Sequence, residues 1–196
     1  MTKLGNSIPK EIKKIKSNLK KYLNSMDIKV IDANSIITGR DFLVKIWEML
    51  VSVPLGIAII TKNLSPITMA NIFYEIGILQ TLGKETLIVK SKDSKIPSDF
   101  VRTEYIEYKK YSRGFKRELN KYLKTFFKQA NYYDTLGSEL EKNPLIAIDY
   151  LKRAYLRDGN SDIKDKVDHK INNFFSPGSF DSGTQEIIKE LLRLKP

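Results

Sequence analysis

The chain has no cysteine in its 196 residues and a single histidine, His169. Without thiols there is no disulfide framework, no thiolate nucleophile and no cysteine-ligated metal, and one imidazole cannot build a histidine cluster around an ion. The missing cysteines also suit a reducing compartment. Long apolar runs are absent too. No stretch approaches the roughly 18 residues a membrane span requires, and Met1-Thr2-Lys3-Leu4-Gly5 lacks the apolar block of a signal peptide. The expectation is a cytoplasmic, soluble globular protein without a bound metal. An apolar content of 41% is enough for the core of one domain, or of one domain with a small extension.

Acidic residues are the scarcer charge. Lys and Arg number 34 against 23 Asp and Glu, giving a net charge of +11. The excess is spread, with +6 in residues 1–100 and +5 in residues 101–196. Two segments are locally rich: residues 10–21 carry six lysines against Glu11, and residues 109–128 carry eight Lys and Arg against Glu118.

Apolar spacing supplies the elements. Ile8, Ile12, Ile15, Leu19, Tyr22 and Leu23 recur at helical intervals, which predicts a helix over 9–24 with Ser7 as N-cap and Pro9 in the first turn. Residues 28–31 read as a short strand, about 41–53 as a helix, 56–60 as a buried strand, 86–89 as another and 104–108 as an edge strand. Residues 61–70 read as a loop that ends at a helix start, and that helix closes at Gly83, a natural left-handed cap. Strands alternating with helices predict βαβ units and a small doubly wound, flavodoxin-like sheet that is mostly parallel. Its first strand, over residues 2–5, is very short or absent.

From Phe115 onward the pattern is helical only. The predicted division is an α/β domain over 1–129 and an all-helical extension over 130–196. Tyr133, Leu136, Gly137, Leu140, Ala147, Leu151 and Ala154 resemble one tetratricopeptide-type helix pair, in which small residues allow close approach. One such pair cannot bury its own apolar face, so it is expected to pack on something else.

Within 53–84 there is one acid, Glu75, in the run Asn71-Ile72-Phe73-Tyr74-Glu75-Ile76-Gly77. The sequence places it in the first turns of an apolar helix that follows an apolar strand, where open α/β sheets bind ligands. Ile72, Ile76 and Leu79 form a core stripe, with Asn71 and Glu75 one turn apart on the adjoining face. Tyr74 and Trp47 read as packing residues, and His169 as a solvated helix position.

Residues 30–108 resemble the TIR-like and nucleoside 2-deoxyribosyltransferase-like group. The resemblance rests on Asp32, Ile37-Thr38-Gly39-Arg40, Ile59-Ile60-Thr61, Ser65-Pro66, Tyr74-Glu75-Ile76-Gly77 and Leu82-Gly83-Lys84. It implies cleavage of an N-glycosidic bond, either the nicotinamide bond of NAD or the base-to-sugar bond of a nucleoside. A fixed anion then stabilises the oxocarbenium-like transition state or attacks C1′. Nicotinamide departs from a cation and needs no proton, so one carboxylate suffices, whereas a neutral nucleoside needs a proton donor.

Val53 to Ala70 holds no acid, which favours NAD as substrate over a free nucleoside, with no other cofactor. The resemblance implies Glu75 as the catalytic group, with Asn71, Tyr74, Gly39, Arg40, Thr61, Lys62 and Ser65 as substrate-binding residues. The rival reading is a non-catalytic nucleotide-binding or signalling module of the same fold. In a flavodoxin-like order the two basic helices adjoin, and in TIR-like domains the corresponding helices mediate self-association. A homo-oligomer or a TIR-like partner is therefore expected there, with activity switched on by assembly. Nucleic acid ranks lower, since no aromatic or glycine-rich RNA motif accompanies the charge.

Overall fold

The computed structural model describes residues 8–32, 46, 49, 50, 52–97, 100, 104–140 and 142–174. Its elements are α1 (Lys10–Asn24), β1 (Leu55–Ile60), α2 (Pro66–Thr81), β2 (Glu85–Ser91), β3 (Tyr105–Tyr108), α3 (Arg113–Glu139), α4 (Pro144–Asp158) and α5 (Ser161–Phe174). The fold is mixed α/β, with a three-stranded parallel sheet ordered β1-β2-β3. The chain divides into two compact units, Met1–Leu119 and Asn120–Pro196. That division falls inside α3, ten residues before the one read from the sequence. No helix among the described residues is long and apolar enough to cross a membrane.

In the first unit, consecutive side chains of β1 and β2 point to opposite faces, yet Ala58, Ile59 and Ile60 are buried in a row, as are Thr86 to Val89. Both faces of this strand pair are therefore covered, which is why the strands read as unbroken apolar runs. Register pairs Ile57 with Leu87 and Ile59 with Val89. Ile12, Ile15, Leu19 and Leu23 bury one stripe of α1, and Ile72, Phe73, Ile76 and Leu79 bury one stripe of α2. The expected core stripe of α2 is thus borne out, with Phe73 added to it and its ring tilted against that of Phe100, centroids 4.5 Å apart.

Several boundaries differ from the sequence reading, each for a local reason. Residues 28–31 do not form a strand. Asp27 takes a left-handed φ of 59°, Ile28 N–H donates to the Leu23 carbonyl, and Asp32 pairs with Lys16 at 2.5 Å. The segment accordingly runs back along α1 instead of joining the sheet. Lys16 is engaged by that pair and does not belong to an outward basic face. The N-cap of α1 is Pro9, and Ser7 lies outside the described residues, as do residues 2–5. Most of the helix expected over 41–53, Trp47 included, also lies outside them, although Ile46, Met49, Leu50 and Ser52 are helical. α2 begins five residues before Asn71, because Ser65 caps it by accepting the Thr68 N–H at 3.2 Å and Pro66 sits ready-shaped in its first turn. At its other end Gly83 has φ 64°, and two backbone bonds, Lys84 N–H to Leu79 and Gly83 N–H to Gln80, close the expected left-handed cap.

In the second unit, α3 runs on to Glu139. Asn143 caps α4, accepting the Ile146 N–H at 3.4 Å, and Gly159, with φ 71°, ends it. The pair formed by α3 and α4 does not stand alone, because Ile163 and Val167 of α5 join Ile148, Leu151 and Ala154 in one cluster, with Tyr133, Tyr155 and Ile171 against it. Lys166 of α5 donates to both carboxylate oxygens of Asp134, at 2.8 and 2.9 Å. The guanidinium of Arg157 lies 4.3 Å from the Tyr133 ring and 4.6 Å from that of Phe126. His169 is exposed, as the sequence suggests.

Two glycines separate packing from propensity. A Cβ on Gly137 would lie 2.6 Å from Leu151 Cγ and 2.9 Å from the Ala147 carbonyl oxygen, whereas one on Gly77 would meet nothing within 4 Å. Gly137→Ala should therefore lower the unfolding free energy by about 1–2 kcal/mol, the overpacking cost exceeding the helix-propensity gain. Gly77→Ala should raise it by up to about 1 kcal/mol. Chemical denaturation of both variants beside the parent chain checks the opposite signs.

Candidate functional site

Because the three strands are parallel, the loops following β1, β2 and β3 all emerge at the same, carboxyl, end of the sheet. Two of them are tied together by a hydroxyl relay. The Lys62 N–H donates to Ser91 Oγ at 3.3 Å, and Ser94 Oγ donates to the Ile60 carbonyl at 3.3 Å. The 2.7 Å contact between the two serine oxygens is then Ser91 donating to Ser94. Lys90 Nζ adds a bond to the Ser94 carbonyl. Sequence reasoning missed this pair. Its signal was the Ser-x-x-Ser spacing at a strand end, where short hydroxyl side chains substitute for backbone partners.

The expected site residues fall into two groups. Thr61, Lys62 and Ser65 lie at the carboxyl end of β1. Thr61 is 1% exposed, and its hydroxyl has no hydrogen-bond partner among the described residues. Ser65 is committed to capping α2 and also bonds Thr68 Oγ1 at 2.9 Å. Lys62 is exposed, held by its backbone alone.

Asn71, Tyr74 and Glu75 form the second group. Helical periodicity puts Asn71 between the other two on one continuous surface of α2. Since α2 starts at Pro66, Glu75 stands in the third turn and not in the first, about 15 Å along the axis from Ser65. The free N–H groups of the helix start are therefore not the neighbours of its carboxylate. Tyr74 is 64% exposed, so it does not pack in the core as its ring would suggest. Gly39 and Arg40 lie outside the described residues.

Glu75 is the one charged residue in the sixteen of α2. It is half-buried, flanked by the core positions Ile72, Ile76 and Leu79, and makes no hydrogen bond among the described residues. Burial pushes its carboxyl pKa above the ordinary 4.5. A carboxylate disfavoured in its ionised form costs stability, and such groups concentrate where a charge is needed for chemistry.

The pH dependence follows. Between 4.5 and the raised folded value, the folded chain keeps a proton that the unfolded chain has released, so stability falls as pH rises through that window. Glu75→Gln removes the effect. The variant should match the parent chain below pH 4.5 and melt at a higher temperature at neutral pH, as thermal scans across pH will record. No protein-family model, no curated protein and no solved structure matches this chain.

Proposed function

We propose that the first unit is a doubly wound, flavodoxin-like domain of the TIR-like kind, and that it hydrolyses the nicotinamide N-glycosidic bond of NAD with Glu75 as the essential carboxylate. One observation carries this reading: the single charge of α2 is a half-buried carboxylate with a raised pKa, on the same surface as an amide, Asn71, and an exposed aromatic ring, Tyr74. In its ionised form Glu75 would stabilise positive charge building on C1′ as the C1′–N bond breaks. Nicotinamide leaves neutral with the bonding electron pair, water adds to C1′, and its proton passes to solvent, leaving ADP-ribose. Asn71 would hold a ribose hydroxyl and Tyr74 would stack on the nicotinamide ring.

The separation of the two groups favours a dinucleotide. About 15 Å of helix lies between Ser65 and Glu75, longer than a single nucleoside and within reach of two nucleosides joined by a pyrophosphate. Lys62 would then meet the distal phosphates or ribose. The exposed lysines of α1 are assigned to contact with an acidic face of a neighbouring subunit or TIR-like partner, so catalysis is expected in the assembled form.

The test is nicotinamide release from NAD, followed by chromatography at high protein concentration with a crowding agent. The parent chain should turn over, and Glu75→Gln should lose roughly a hundredfold or more in rate, equivalent to about 3 kcal/mol of transition-state stabilisation, while still binding NAD. Equal turnover by the variant contradicts the assignment. Binding without release by the parent chain would identify a non-catalytic nucleotide-binding module.

A further inference from the structure

The parallel sheet brings a group of exposed cations to its carboxyl end. Among the described residues, the loops after β1, β2 and β3 and the first residue of α3 present six exposed cations, Lys62, Lys92, Lys95, Lys109, Lys110 and Arg113, against one acid, Asp93. None of the six side chains makes an ion pair among the described residues. At the amino end the described connections and strand starts carry Lys84 against Glu85 and Glu104. The rim is thus one of two locally basic surfaces among the described residues, the other being the exposed lysines of α1.

The start of α3 adds to it. The first turn of this 27-residue helix contains no acid, although its positive dipole end favours one. Arg113 and Lys116 stand there instead, and Arg117 and Glu118 follow in the next turn. Adjacent strands are only about 4.8 Å apart, so cations on neighbouring loops repel one another. An anion relieves that repulsion, and six cations exceed what a single pyrophosphate neutralises.

We infer that the carboxyl rim of the sheet binds single-stranded nucleic acid through its phosphate backbone, without sequence preference. A row of cations crossing three neighbouring loops matches a chain of regularly spaced phosphates. Tyr111, half-buried in the third loop with Lys116 4.5 Å from its ring, supplies an aromatic group within the row, as single-strand binding surfaces do. A membrane surface is disfavoured, because the three loops carry no exposed large apolar side chain among their described residues and Ile67, in the first turn of α2, stands alone at that end. The inference does not depend on NAD cleavage.

The experiment is fluorescence anisotropy of the full chain with a labelled, mixed-sequence single-stranded 20-mer over a range of salt. Engagement of all six cations gives a log–log salt slope of about −4. Lys109→Glu with Lys110→Glu and Arg113→Glu should weaken binding at least roughly tenfold, and the milder Gln substitutions at the same positions should weaken it less. The charge-matched control, Lys10→Glu with Lys13→Glu and Lys20→Glu on α1, should stay within about twofold of the parent chain. Circular dichroism verifies that each variant is folded. Equal losses in the rim and α1 variants, undiminished binding by the rim variants, or capture by anionic lipid vesicles without oligonucleotide binding would each overturn the inference.

Discussion

The parallel pairing of β1 with β2, buried on both faces, is the constraint on which the first unit depends. A strand pair with Ile59, Ile60, Leu87, Ile88 and Val89 all inside cannot tolerate solvent on either side, so the connection between the strands must be a covering helix. That helix is α2. Its inner stripe is fixed by the sheet, its start by Ser65 and Pro66, and its end by Gly83. Parallel pairing also sends every strand-to-helix loop to the same end. The positive rim and the hydroxyl relay through Ser91 and Ser94 are both consequences of that one topological fact.

Within that frame Glu75 stands out energetically. The other fifteen residues of α2 carry no charge, and the apolar side chains around Glu75 belong to the sheet's cover. A glutamine of the same volume would avoid the desolvation of a carboxylate there. Local departures from the packing rules mark functional positions. The exposed ring of Tyr74 is a second departure, an aromatic residue left in solvent one position away. Together they motivate an N-glycosidic chemistry that needs a fixed anion and a flat surface for the departing base.

The buried elements were legible in the sequence because their pattern is set by burial. Strands β1, β2 and β3, the core stripes of α1 and α2, and the left-handed cap at Gly83 all follow from residue spacing and backbone preference. The misread positions are those where a local interaction outweighed the pattern. Ile28 to Ile31 look like a strand by composition, but the left-handed Asp27 and the Lys16–Asp32 pair fold them back on α1. The loop assigned to residues 61–70 is half helix, since Ser65 caps α2 and Pro66 sits in its first turn. That shift moved Glu75 from the helix start to its third turn. It also divided the candidate residues into two groups, which no one-dimensional spacing could reveal. The buried state of the Thr61 hydroxyl depends on long-range packing and was equally invisible.

Titrating the carboxyl carbon of Glu75 by NMR, with the resonance assigned by its disappearance in Glu75→Gln, tests the central claim most directly. If Glu75 is a carboxylate held in an apolar surface for chemistry, its midpoint lies above the ordinary 4.5 in the folded protein. A midpoint at or below 4.5 would show a solvated or paired glutamate and would contradict the account.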